Sequence, residues 1–311
     1  MNRVPEFSRP ESLEALLSEL EIVCAPGEAI LAERFSDGRQ KWPLVFIVGP
    51  SRSGSTLLSQ WLANLGIFAY PSNLLSRFYY APLIGARIQQ LLFDPKYSFR
   101  NELAGLTRNI EYSSSNGKTS GILSPHSFGY FWRRFFPKDD RDRDVWSNDE
   151  LQRVFDIETC RKELVDLTAV FDQPFFVKAM LFNYNLEFLN RSFEKVLFLR
   201  TRRGLDSQVQ SVLDARVRQS GDRSIWYSYK ITEYESIKDM EPELQVREQT
   251  LAINRTLDQS LKSIPTERVM EISYENFCSN PADVYIELIG KLGMTETAPR
   301  YSGPSQFKIS R

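Results

Sequence analysis

The stretch Pro43–Leu65, PLVFIVGPSRSGSTLLSQWLANL, decides the fold. Leu44 to Val48 is an unbroken apolar run, the pattern of a parallel strand buried on both faces. A loop of Gly, Pro, Ser and Arg follows. Ser55 and Thr56 then open a segment whose apolar residues Leu57, Leu58, Trp61, Leu62 and Leu65 fall at helical spacing, with Gly66 as its expected stop. Strand, glycine-containing loop and helix N-terminus together form a cradle for a phosphate-like anion. The first N–H groups of the helix lack partners within it, and the aligned peptide dipoles add positive potential.

The loop Gly49-Pro50-Ser51-Arg52-Ser53-Gly54-Ser55-Thr56 fits the pattern G-x-x-x-x-G-K-[ST] everywhere except at the lysine, which is Ser55. That lysine grips the terminal phosphates of a nucleoside triphosphate. Here the loop's cation is Arg52. The expectation is anion binding without triphosphate hydrolysis; the simpler alternative is a strand–turn–helix joint with no ligand.

Composition narrows the partners. The 311 residues, 42% hydrophobic with a mean hydropathy of -0.35, suit a globular core of one large domain or a domain with an insertion. Lys and Arg total 39 against 40 Asp and Glu, so nothing global suggests nucleic acid, and local basic clusters become informative. The three cysteines, Cys24, Cys160 and Cys278, are scattered as in a reducing compartment. A single histidine, His126, excludes histidine-rich metal sites, and no metal is expected. The opening MNRVPEFSRPESLEALLSELE lacks the apolar run of a signal peptide, and no stretch approaches a membrane span; a cytoplasmic location is the expectation.

Along the chain, 1–42 reads as an N-terminal helical arm, its helices within 11–36 broken at Pro26-Gly27. From 67 to about 170 the pattern is irregular and aromatic-rich, with Ser113–Lys118 as a flexible connector. The aromatic run from Phe128 to Phe136, beside His126, suits either a pocket lining or a core helix. Strands return at Pro174–Lys178, Val196–Leu199 and Arg268–Ile272, separated by helices. The expected architecture is therefore α/β: a mainly parallel central sheet with helices on both faces, P-loop-like, with a helical or irregular insertion. One domain spans 43–295, and 296–311 forms a tail that either folds back or is disordered.

A second cationic cluster, Arg200-Thr201-Arg202-Arg203, falls where a strand gives way to a helix. Arginines at a helix N-terminus oppose the macrodipole unless an anion sits there. Both clusters lie at carboxyl ends of strands, where open α/β sheets bind ligands. Two phosphate-sized sites at one sheet edge suggest a nucleotide phosphorylated at two places; a solvated basic face is the alternative.

With these motifs in hand, the chain resembles the sulfotransferases that use 3′-phosphoadenosine 5′-phosphosulfate (PAPS), in particular their bacterial and carbohydrate-directed branches. Pro50–Leu58 resembles the family's 5′-phosphosulfate loop, Leu199–Arg203 its 3′-phosphate motif, Val269–Phe277 a strand and Tyr-Glu segment near its end, and Phe176-Val177-Lys178 a lysine-bearing strand. The resemblance implies that Ser53, Gly54, Ser55, Thr56 and Leu57 cradle the phosphosulfate, with Arg52 at the sulfuryl oxygens. Arg200 with Ser207 would hold the 3′-phosphate. Ser211, eight places after Arg203, is the alternative, because the family's serine stands eight places after its arginine and Gln208 occupies that place after Arg200.

The implied reaction is sulfuryl transfer to a hydroxyl or amine of a small-molecule or glycan acceptor, a carbohydrate by family analogy, bound by the insertion. Lys178 is the expected second cation. Residues 67–93 hold no carboxylate to serve as base, so the proton acceptor is expected in His126, with Glu102 and Asp94 in reserve. The rivals are a P-loop nucleotide kinase, weakened by the absent lysine, and a non-catalytic nucleotide-binding protein that keeps the fold.

Overall fold

The computed structural model describes residues 4–35, 39–103, 105–106, 109–141 and 143–309. Ser36 of the expected arm and Ser310 and Arg311 of the expected tail lie outside the described residues.

A four-stranded parallel sheet forms the centre: β1 (Leu44–Val48), β2 (Phe175–Lys178), β3 (Val196–Arg202) and β4 (Val269–Ser273), in the order β2-β1-β3-β4. Around it run α1 (Glu11–Glu33), α2 (Ser55–Asn64), α3 (Pro82–Phe93), α4 (Gly129–Arg133), α5 (Asn148–Val154) and α6 (Ile157–Phe171). The later helices are α7 (Leu186–Ser192), α8 (Leu205–Ser220), α9 (Tyr234–Ile237), α10 (Pro242–Leu261), α11 (Tyr274–Ser279) and α12 (Pro281–Lys291).

Period-two alternation sorts each strand between two cores. Leu44, Phe46 and Val48 of β1 with Phe198 of β3 face one layer, where Leu164 and Leu167 of α6 and Leu257 of α10 pack. Val45 and Ile47 with Leu197 and Leu199 face the other, filled by Leu58, Trp61 and Leu62 of α2 and Leu288 of α12. Burial on both faces accounts for the unbroken apolar run in β1. Helices therefore cover both faces of the sheet, as the strand–helix alternation predicts.

The structure departs from the sequence-based expectation in two places and decides one that the sequence left open. α1 runs through Pro26 without a break. Pro26 is exposed, and the next turn is anchored by buried Glu28, whose carboxylate accepts the Leu83 and Ile84 N–H groups at 2.8 and 2.9 Å. A tertiary cap on α3 thus outweighs the lost helical bond. The aromatic run is core, not pocket lining: Phe131 and Trp132 are buried, stacking among Phe128, Phe135 and Phe182. Ser113–Lys118 is no flexible connector. Ser115 and Lys118 exchange backbone bonds of 2.9 and 2.7 Å around Asn116 and Gly117, whose φ values of 48° and 80° make a tight primed hairpin turn.

The tail folds back. Phe307 N–H donates to Cys278 O at 2.7 Å, its ring packs on Phe277 and Tyr112, and none of the tail's described residues borders the cavity described below. Among the described residues no helix is long and apolar enough to cross a membrane.

Candidate functional site

The carboxyl ends of β1, β2 and β3 open onto a cavity of about 740 Å³. Its floor is the Gly49–Thr56 loop. Gly49 leaves β1 with φ 145°, clamped by Asn183: the Gly49 N–H donates to Asn183 Oδ1 at 3.1 Å and Asn183 Nδ2 to Gly49 O at 2.9 Å. Arg52 and Gly54 both have positive φ, 64° and 94°. Gly54 precedes α2, whose ladder begins with Leu58 N–H to Gly54 O at 3.0 Å. The N–H groups of Ser55, Thr56 and Leu57 therefore come before that ladder, and no side chain caps this end among the described residues. A Cβ on Gly54 would stand 2.3 Å from Tyr274 Cδ2, so the ring packs directly against bare backbone. The loop thus has the features of an anion cradle: open N–H donors, close approach and a helix dipole.

The side chains of the loop divide their tasks. Ser53 is buried and bonds to Thr201 Oγ1 at 2.6 Å, which leaves its backbone for a ligand. Ser55, Thr56 and Leu57 border the cavity. Arg52 Nε donates to Ser211 Oγ at 3.1 Å, and its carbonyl accepts Arg203 Nη1 at 3.2 Å. Burial, more than the nearby Arg218 and Arg203 charges, lowers the Arg52 guanidinium pKa. Lys178, at the end of β2, donates from Nζ to Thr56 Oγ1 at 3.0 Å. Its carbonyl is held by Trp132 Nε1 at 2.9 Å. Burial first, then the charges of Lys118 and Arg52, brings the Lys178 ammonium down to about 7.

Arg200 is not part of this cavity. β3 continues to Arg202, so Arg200 points to the α10 side with Phe198, is fully buried, and pairs with Asp258 and with Glu271, the latter at 3.2 Å. Arg203, beyond the strand, borders the cavity and lies over the Tyr274 ring at 4.8 Å. Ser207 is exposed on α8, whereas Gln208, about a third of a turn on, is buried and donates to Ser51 O at 2.7 Å. Ser211, one turn further, reaches Arg52. Strand alternation carried past Leu199, together with the eight-residue spacing from Arg203 to Ser211, was the sequence signal for this register.

His126 does not border the cavity either. Its Nδ1 accepts the Phe128 N–H at 3.0 Å, which places the imidazole proton on Nε2 and leaves no free lone pair. Burial, with Lys118 and further cations around it, pushes its pKa down to about 3. The reserves fail too: Asp94 accepts the Lys96 N–H at 2.9 Å in a local turn, Glu102 is exposed, and neither borders the cavity. The carboxylate that does is Asp144, paired with Arg133 and accepting the Lys230 N–H at 2.9 Å. The aromatic residues on the cavity wall are Tyr227, Tyr229 and Tyr274. Asp144, Tyr227 and Tyr229 come from segments without a motif, and only the fold brings them to the loop; Tyr274 is the tyrosine of the Tyr-Glu segment in Val269–Phe277.

Comparison with known proteins follows the same lines. The sequence model described as "Sulfotransferase family" matches residues 43–298. No curated protein matches the sequence. Among solved structures, sulfotransferase STF9 from Mycobacterium avium is similar at a TM-score of 0.54 and 12% identity, covering 96% of this chain and 76% of that one. Sulfotransferase STF1 from Mycobacterium tuberculosis H37Rv is similar at a TM-score of 0.51 and 11% identity, covering 89% and 77%. At such identities these structures show the fold alone.

Proposed function

This chain belongs to the sulfotransferase family, and from that premise we propose that it transfers a sulfuryl group from PAPS to the hydroxyl of a small-molecule or glycan acceptor. The observation that carries the reading is the convergence of Arg52, Lys178 and Arg203 on one cavity at the open N-terminus of α2.

PAPS supplies a sulfuryl group on an activated phosphate: its S–O bond to that phosphate breaks as an acceptor oxygen bonds to sulfur. The N–H groups of Ser55, Thr56 and Leu57 with Arg52 hold the phosphosulfate. Lys178 stands where charge develops on the departing oxygen, and charge there is worth most in an enclosed site. Arg203, stacked on Tyr274, takes the 3′-phosphate in place of Arg200, and Ser211 serves by orienting Arg52. The acceptor enters past Met180, Ser127 and Tyr229, and the wall offers Asp144 as its proton acceptor.

Calorimetry with adenosine 3′,5′-bisphosphate without added magnesium tests this. Binding of micromolar order, lost in Arg52→Ala and Arg203→Ala, is the expected result; a wild-type protein that ignores the nucleotide overturns it. With an acceptor in hand, Arg52→Ala should lower turnover by about two to three orders of magnitude.

A further inference from the structure

We propose that Lys118, on the Ser115–Lys118 hairpin, is a binding residue for the transferring sulfuryl group, and that the hairpin is a strap laid over the phosphosulfate loop to carry it. The inference rests on the donor reading above.

The hairpin is built into the site. Asn116 is buried and pinned on three sides: its Nδ2 donates to Ala215 O at 3.0 Å, its Oδ1 accepts Arg218 Nε at 2.7 Å, and its carbonyl accepts the Tyr227 hydroxyl at 3.2 Å. Ser211, Ala215 and Arg218 follow one another at helical spacing on one face of α8. The same face therefore holds the hairpin and, through Ser211, Arg52. Gly117 sits directly over the loop: a Cβ there would lie 3.3 Å from Thr56 Oγ1 and 3.9 Å from Arg52 Nη1. With φ at 80° as well, the position calls for glycine.

Lys118 borders the cavity, and its position along the donor follows from its neighbours. The preceding residue, Gly117, faces Thr56 Oγ1, the same atom to which Lys178 Nζ donates at 3.0 Å, and the Lys118 charge bears on the Lys178 ammonium. Lys118 thus stands with Lys178 at the β2 end of the cavity. In the donor, the group at that end is the sulfuryl group, which the bisphosphate product lacks.

The test is binding of PAPS and of adenosine 3′,5′-bisphosphate, measured by calorimetry without acceptor, in wild type, Lys118→Gln and Lys118→Arg. Lys118→Gln should weaken PAPS about tenfold, the scale of one charge-assisted hydrogen bond, leave the bisphosphate within twofold, and be rescued by Lys118→Arg. Unchanged PAPS affinity, or equal losses for both nucleotides, overturns the assignment. Wild-type protein that binds neither nucleotide removes the donor reading and the assignment with it, a result visible before any variant is made.

Discussion

Lys178 Nζ donates to Thr56 Oγ1 at 3.0 Å, tying the end of β2 to the first turn of α2. The bond places an ammonium group beside the open N–H donors of the helix, where burial and two neighbouring cations bring it down to about 7. An anion bound at that point favours the ammonium form and raises its pKa. PAPS binding should therefore take up a proton above pH 7. Affinity should be flat below about pH 7 and fall by up to tenfold per unit as pH rises toward the bound value. Titrations from pH 6 to 9 in buffers of differing ionisation enthalpy measure both effects. Lys178→Met should abolish them, and a pH-independent wild type would contradict this placement.

Gly54 joins the loop to Tyr274. An alanine there must adopt φ 94° and bring its Cβ within 2.3 Å of the ring. Gly54→Ala should cost about 2–4 kcal/mol, summed from left-handed strain and overpacking, and should abolish nucleotide binding. In denaturant unfolding, Gly54→Ala made in a Tyr274→Ala background should cost only the left-handed strain, measured against the Tyr274→Ala single variant.

Arg200 and Arg203 separate stability from binding. Arg200→Ala empties a buried position and removes one of the two arginines on Asp258 and Glu271, both half-exposed and still paired with Arg202, so a loss of about 1–3 kcal/mol is expected, with nucleotide affinity of the folded protein nearly unchanged. Arg203→Ala should leave the unfolding midpoint in place and weaken adenosine 3′,5′-bisphosphate about 10- to 100-fold, but not adenosine 5′-phosphosulfate. The reverse pattern would restore Arg200 to the site.

His126 should behave as a neutral structural residue. The unfolded chain takes up its proton below about pH 6.5, the folded chain only near 3, so this residue lowers stability progressively as pH falls between those values. Urea unfolding of His126→Gln should show a flatter acid limb than wild type. The activity profile from pH 6 to 9 should keep its shape, and a lost limb there would return the base role to His126.

The fold and the geometry of the Gly49–Thr56 loop were legible in Pro43–Leu65 because strand, loop and helix are contiguous, and their conformation depends on residues a few places apart. The same holds for Lys178, which ends an apolar strand. The basic cluster Arg200–Arg203 was legible in composition but not in register. One more turn of alternation along β3 sends Arg200 to the α10 side and leaves Arg203 at the loop.

The sequence by itself determined a parallel sheet covered on both faces and a glycine-containing loop that carries Arg52 to the N-terminus of α2, since local periodicity and backbone donors depend on neighbours in the chain. Only the tertiary structure decided which cations share the cavity, that His126 is turned away with its lone pair occupied, and that Asn116 fastens a hairpin over the loop. Those outcomes depend on contacts between segments far apart in sequence, where packing and hydrogen-bond satisfaction, not spacing, select the partner.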